Sequence, residues 1–194
     1  MNVAQTPKPA ISWPALLVGL GLTLPLLGIL LSGLFHDPHD LGNPLEDETA
    51  PRFTLPRLDG QGTLSLEQLR GKPTIINFWA TWCQSCPLEH PVLEQAAREF
   101  GDQVQFVGIA YEDKSERLSA WLQRANRGRP SAYPTLIDVG GKVAVAYGVY
   151  GVPETYFVDA QGTVKHKKTG PFLPSADPTA DGRLELRRIL GEML

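Results

Sequence analysis

The sequence predicts an α/β layered domain with a central mixed sheet flanked by helices, preceded by one transmembrane helix. Three observations carry that prediction. Short apolar runs of strand length alternate with longer stretches of helical periodicity. Two strand-like runs joined by a turn follow, and an uncharged run near the N-terminus is long enough to cross a bilayer. At 194 residues the chain holds one domain of ordinary size and something more. With 42% hydrophobic and 20% charged residues it is globular, and a net charge of −3 argues against a nucleic-acid binder. Proteins or small molecules are the expected partners.

The N-terminal run PALLVGLGLTLPLLGILLSGLF, Pro14 to Phe35, has 22 residues and no charge. As a helix it is about 33 Å long, enough for a hydrocarbon core of about 30 Å. Pro14 and Pro25 would weaken a soluble helix but are tolerated in a membrane-spanning one. A cleaved signal peptide has a shorter apolar region, about 7–15 residues, and a small-residue cleavage site. SGLFHDPHD offers no such site, and no cysteine is there to take a lipid. The reading is an uncleaved anchor at 14–35 behind a cytoplasmic leader at 1–13. Lys8 and the α-amino group lie on the leader and the exit side is acidic, so residues 36–194 are expected outside the cytoplasm.

Residues 36–50, HDPHDLGNPLEDETA, read as a polar, proline-bearing linker to a domain at 51–194. FTLPRLDGQGTLSLEQLRGK predicts a short extended piece, a D-G turn and a brief helix starting at Ser65. PTIINFWA, continuous, apolar and β-branched, predicts a central buried strand. Beyond it, Val92, Leu93, Ala96, Ala97 and Phe100 share one helical face that Gly101 ends. VQFVGIAY predicts a second buried strand, and Leu118, Trp121 and Leu122 mark another amphipathic helix. TLID predicts a strand, GGKVAVAYGV a short helix, ETYFVDAQGTVKHKKTG a hairpin and RLELRRILGEML a final helix. The resulting order is β-α-β-α-β-α-β-β-α.

Cys83 and Cys86 in NFWATWCQSCPLEH are the only cysteines. A disulfide closing so short a loop hardly constrains the unfolded chain, so the pair is not a structural staple. Zinc needs four ligands; His90 lies near, but His36, His39 and His166 are far away in sequence and no second cysteine pair exists. His90 alone reads as a surface residue of its helix. Proline, not histidine, follows Cys86, which excludes a haem-attachment motif. Redox exchange remains. Cys83 falls where a strand ends and a helix begins, and unpaired N–H groups there stabilise a thiolate. Cys83 is therefore expected to attack a substrate disulfide and Cys86 to resolve the mixed disulfide. Pro87 costs little in a first helical turn.

NFWATWCQSCPLEHPVL resembles the active-site segment of the thioredoxin superfamily in its membrane-anchored, TlpA-like branch. YGVYGVPETYFVDAQGTV resembles the loop and hairpin of the CcmG/DsbE thiol:disulfide interchange proteins of cytochrome c maturation. The likeness spans about residues 50–172 and implies a thioredoxin-like fold. By that resemblance Pro153 is the family's cis-proline; on the residues alone it is an ordinary turn proline. Glu89 matches an acidic residue that assists proton transfer, against the plain reading of a solvated helix carboxylate. Glu154 is expected beside the proline loop, raising the cysteine pKa or touching substrate, with Tyr150, Val152 and exposed Trp82 shaping the groove. Asn77 stands where thioredoxins usually carry a buried aspartate, which shifts acid–base work to Glu89. Trp79 reads as core.

The resemblance implies a membrane-anchored reductant of apocytochrome c haem-binding cysteines, supplied by a transmembrane electron donor of the CcdA or DsbD kind, with no cofactor and no metal. The alternatives are a general TlpA-like reductase of other exported proteins, a thiol peroxidase, and a non-catalytic binding module. The peroxidase arrangement P-x-x-x-T/S-x-x-C is absent, and both cysteines are present against the last. On the anchor reading, full-length protein fractionates with membranes and a chain truncated to start near Gly42 is soluble. Recovery of chain cleaved near residue 35 from the exported soluble fraction would contradict it.

Overall fold

The computed structural model describes residues 12–34 and 44–194. Most of the expected leader, the last residue of the expected anchor, Phe35, and residues 36–43 of the expected linker with His36 and His39 lie outside the described residues. The chain forms two units, residues 1–42 and 43–194. In the first, helix α1 spans Trp13–Leu34 with Pro25 inside it. Its stretch Leu16–Gly33 has a mean hydropathy of 2.1. Thr23 Oγ1 donates to the carbonyl of Gly19 at 2.5 Å, so its hydroxyl is satisfied within the helix.

The second unit is built on a five-stranded sheet. Its strands are β3 (Thr74–Trp79), β4 (Gln105–Tyr111), β5 (Thr135–Asp138), β6 (Glu154–Val158) and β7 (Val164–Thr169), in the order β5-β4-β3-β6-β7. β3, β4 and β5 run parallel, while β6 is antiparallel to both β3 and β7. All six residues of β3 are buried, as a strand covered on both faces requires. Ile76 and Phe78 point into a core with Phe53, Val107, Ile109, Leu136, Tyr147 and Tyr156. Ile75, on the opposite face, joins α2 (Cys86–Phe100) and α5 (Gly182–Met193) through Val92, Leu93, Leu186 and Leu190. Helix α3 (Ser115–Ala125) packs Leu118 against Trp79, Ala80 and both cysteines. Helix α4 (Lys142–Ala146) completes the expected order.

Two expectations are corrected. The predicted extended piece is a strand pair, β1 (Thr54–Pro56) with β2 (Thr63–Ser65), and the brief helix after it is a 3-10 turn at Leu66–Leu69. Arg57 bridges to Leu136, so this pair covers the β5 edge. The end of the expected linker also belongs to the domain. Asp47 N–H donates to Val164 O at 2.8 Å, Val164 N–H to Glu48 O at 2.9 Å, and Ala50 is buried. The domain boundary therefore falls before residue 51, because backbone pairing with the β6–β7 turn holds a segment whose side chains carry no strand pattern.

Candidate active site

Cys83 lies in the loop leaving β3, and Cys86 is the first residue of α2. Their Cα atoms are 5.5 Å apart and their sulfurs form a disulfide. Cys86 N–H, one of the unpaired donors of the α2 N-terminus, points at Cys83 Sγ at 3.1 Å. The carbonyl oxygen of Val152 stands 3.4 Å from the same sulfur. Val152 precedes Pro153 through a cis peptide bond, and its carbonyl brings the proline loop against the disulfide. Both cysteines are nearly covered, at 6% and 3% exposure, whereas Trp82 (52%), Leu88 (56%) and Tyr150 (72%) stand open. Trp79 is core.

Behind the disulfide, Glu89 is not a solvated carboxylate; it is 1% exposed. Asn77 Nδ2 donates to its Oε2 at 3.0 Å and Phe172 N–H to its Oε1 at 3.1 Å. Asn77 Nδ2 also donates to Thr155 Oγ1 at 3.0 Å, which ties the carboxylate to β3 and β6. Burial raises the Glu89 carboxyl to about 7, against the opposing pull of the Phe172 and Asn77 bonds and of Lys168. A small cavity lined by Cys86, Glu89, Asn77 and His90 separates these groups. The group is thus poised to give or take a proton near neutral pH.

His90 is buried, not a surface residue. Its Nε2 meets Asn126 Oδ1 at 2.9 Å, and its ring packs edge-on against Trp121 with centroids 5.0 Å apart. Glu94, also on α2, accepts the N–H of Ala132 at 3.0 Å and pairs with Arg98 at 2.7 Å. That polar cluster fastens the chain after α3 to α2. Among the described residues, no group of three or more His, Cys, Asp and Glu is placed to hold a metal ion.

Glu154 also departs from its expectation. It is fully buried, Lys167 Nζ pairs with its Oε2 at 2.9 Å, and Tyr150 N–H donates to its Oε1 at 3.1 Å. Its charge is matched within the hairpin, so it shapes the loop before Pro153 through the Tyr150 backbone and is not a free negative charge near the sulfurs. Sequence reasoning missed Lys167, Thr155, Phe172 N–H and the Thr81–Asp113 contact. Lys167 was legible in principle, since a hairpin brings the ends of β6 and β7 together.

A strand-to-helix Cys-x-x-Cys disulfide facing a cis-proline loop on this mixed sheet defines a thioredoxin-like thiol:disulfide oxidoreductase. The AhpC/TSA family model matches residues 47–167, and the chain belongs to that family. It is 42% identical to the thiol:disulfide interchange protein DsbE of Allochromatium vinosum, over 80% of this chain and 84% of the relative. With the Pseudomonas aeruginosa protein of the same name the identity is 37%, over 80% and 83%. Among solved structures, MTB dsbF is similar at a TM-score of 0.61 and 31% identity, over 73% of this chain and 95% of that one. A thiol:disulfide interchange protein of Chlorobium tepidum gives a TM-score of 0.62 at 26% identity, over 75% and 94%. Thiol–disulfide interchange is therefore its chemistry.

The raised Glu89 carboxyl has a stability consequence with a definite sign. Between its ordinary value of 4.5 and about 7 the folded chain binds more protons than the unfolded chain. Stability from this group is thus full below the lower value and lost as pH rises through the upper one, about 3 kcal/mol in all. Glu89→Gln is expected to remove that slope, so that the variant gains on wild type between pH 5 and pH 8 in chemical denaturation of the oxidised protein. Parallel pH profiles would contradict the assignment.

Proposed function

We propose that this chain is a membrane-tethered reductant of disulfides in exported proteins, and that its substrate is the C-x-x-C-H disulfide of an apocytochrome c. The observation that carries the direction is the Val152 carbonyl 3.4 Å from Cys83 Sγ, beside the uncharged pair Gln84-Ser85. The carbonyl dipole facing the sulfur works against the thiolate stabilisation that the Cys86 N–H offers, and no cation stands between the cysteines to add to the N–H. Destabilising the thiolate favours the protein's own disulfide, which makes its dithiol a donor of electrons. The substrate class rests on the likeness of YGVYGVPETYFVDAQGTV to the cytochrome c maturation branch and on relatives named DsbE.

The step balances as follows. Cys83 thiolate attacks one sulfur of the substrate disulfide; that bond breaks, a mixed disulfide forms, and the departing substrate sulfur takes a proton. Glu89 accepts the proton of Cys86, whose thiolate attacks Cys83 Sγ; the bond from Cys83 to the substrate breaks, and the second substrate sulfur leaves as a thiolate that takes a proton from water. The protein is left with its Cys83–Cys86 disulfide and the substrate with two thiols. Trp82, Val152, Pro153 and the loop held by Glu154 frame the approach. Residues 1–13 lie in the cytoplasm, 14–35 anchor the chain in the cytoplasmic membrane, and the domain works on the periplasmic side. Because that compartment is oxidising, a transmembrane donor of the CcdA or DsbD kind restores the dithiol.

Cys86→Ser is expected to accumulate a mixed disulfide through Cys83 when mixed with an oxidised C-x-x-C-H peptide, because attack proceeds and resolution cannot. Cys83→Ser should trap little. The reverse pattern would overturn the nucleophile. Trapping of other exported disulfide proteins in preference to that peptide would overturn the substrate.

A further inference from the structure

Thr81 lies two residues before Cys83, in the loop that carries the disulfide out of β3. Its backbone N–H and its hydroxyl both donate to one oxygen, Asp113 Oδ2, at 2.7 and 2.6 Å. Asp113 follows the end of β4. Its other oxygen accepts Lys114 N–H at 2.8 Å and pairs with Arg117 Nε at 3.2 Å. The Asp113 side chain is wholly covered, while Arg117 is mostly open to solvent. Burial pushes the Asp113 carboxyl up, but the Thr81 and Lys114 bonds and the Arg117 charge outweigh it and hold the group below the usual carboxylate range. It is an anion at neutral pH.

The neighbours of Asp113 serve the same loop. Glu112 has a φ of 46°, in the left-handed region that residues with a side chain seldom adopt. The Tyr111 ring meets Trp82 edge-on with centroids 6.2 Å apart. Gly141 leaves room for that ring, since a Cβ there would come within 2.5 Å of it. β4 and β6 flank β3 on opposite sides. The Val152–Pro153 loop therefore meets the disulfide from the β6 side, and the end of β4 holds Thr81 and Trp82 from the other.

We propose that Asp113 is a positioning residue for disulfide exchange, fixing through Thr81 where Cys83 sits against the Val152 carbonyl and the Cys86 N–H. The proposal rests on Cys83 as the attacking thiol, which the trapping experiment tests separately. Removing the anion also leaves Arg117 unmatched beside the loop, which makes the Cys83 thiol more acidic.

The test uses full-length reduced protein in detergent, with Thr81→Val, Asp113→Asn and the double variant. Three quantities are read: the second-order rate of reduction of a disulfide peptide, the pH midpoint of Cys83 alkylation, and the melting temperature. Each single variant is expected to slow reduction about tenfold, since each weakens a charge-assisted contact that sets reacting geometry. The double variant should be no slower than the slower single, because the hydroxyl bond that Thr81→Val removes ends on the carboxylate that Asp113→Asn neutralises. The alkylation midpoint should fall in Asp113→Asn. A purely structural role would lower the melting temperature and leave the folded protein's rate and midpoint at wild-type values, and that result overturns the proposal. So does a double variant slowed about a hundredfold, or a slowed Asp113→Asn with an unmoved midpoint. If Asp113→Asn does not fold, Thr81→Val decides alone, because it keeps the charge and the volume; a folded Thr81→Val with wild-type rate overturns the proposal.

Discussion

Strand β3 is the constraint on which the rest of the domain depends. Buried on both faces, it has to satisfy its backbone groups within the sheet, which it does with β4 on one side and β6 on the other. That pairing fixes register. Asn77 stands opposite Thr155, Phe78 opposite Glu154, and Trp79 opposite Ala110. Because β4 is parallel and β6 antiparallel, the end of β4 and the start of β6 converge on the end of β3. The disulfide loop emerges there, between Asp113 and the Val152–Pro153 bond. A single slipped register would turn Asn77 away from Glu89 and bring an apolar neighbour against the carboxylate.

The charges around the disulfide follow the same logic. Two of the buried acids near it, Glu154 and Glu89, are treated differently. Glu154 has Lys167 within 2.9 Å and holds its loop as a matched pair. Glu89 has two neutral donors and only the distant pull of Lys168, so burial dominates and its proton is held to about 7. A buried charge left without a partner costs several kcal/mol and shifts its pKa instead. One carboxyl is thus matched by a lysine within its hairpin, while the other has no such partner and is left to hold its proton to about 7.

Most of the element order was legible in the sequence because strands such as TIINFW and helices such as PVLEQAAREF carry strong, distinct patterns. β1 and β2 were harder: three-residue strands have no periodicity to read, and DGQG suggests a turn without naming its second arm. The cysteines and the proline loop were visible as motifs. The burial of Glu89 and His90 was not, since LEHPVLEQ reads as an ordinary polar helix face until Phe172 and Asn126 arrive from far along the chain. Asp113 was hidden for the same reason. An acid in EDKS after a strand looks like a solvated turn, and only the fold brings Thr81 to it.

The central claim is that this site favours its own disulfide and so gives electrons away. Equilibrating the protein with glutathione buffers and quantifying its dithiol tests that claim most directly. For a two-electron couple about 30 mV corresponds to roughly 1.4 kcal/mol, so the Val152 carbonyl set against the Cys86 N–H, with no cation between the cysteines, should register clearly. The account predicts a potential near that of thioredoxin, about −270 mV, and a value near that of a strong oxidant, about −120 mV, would contradict it.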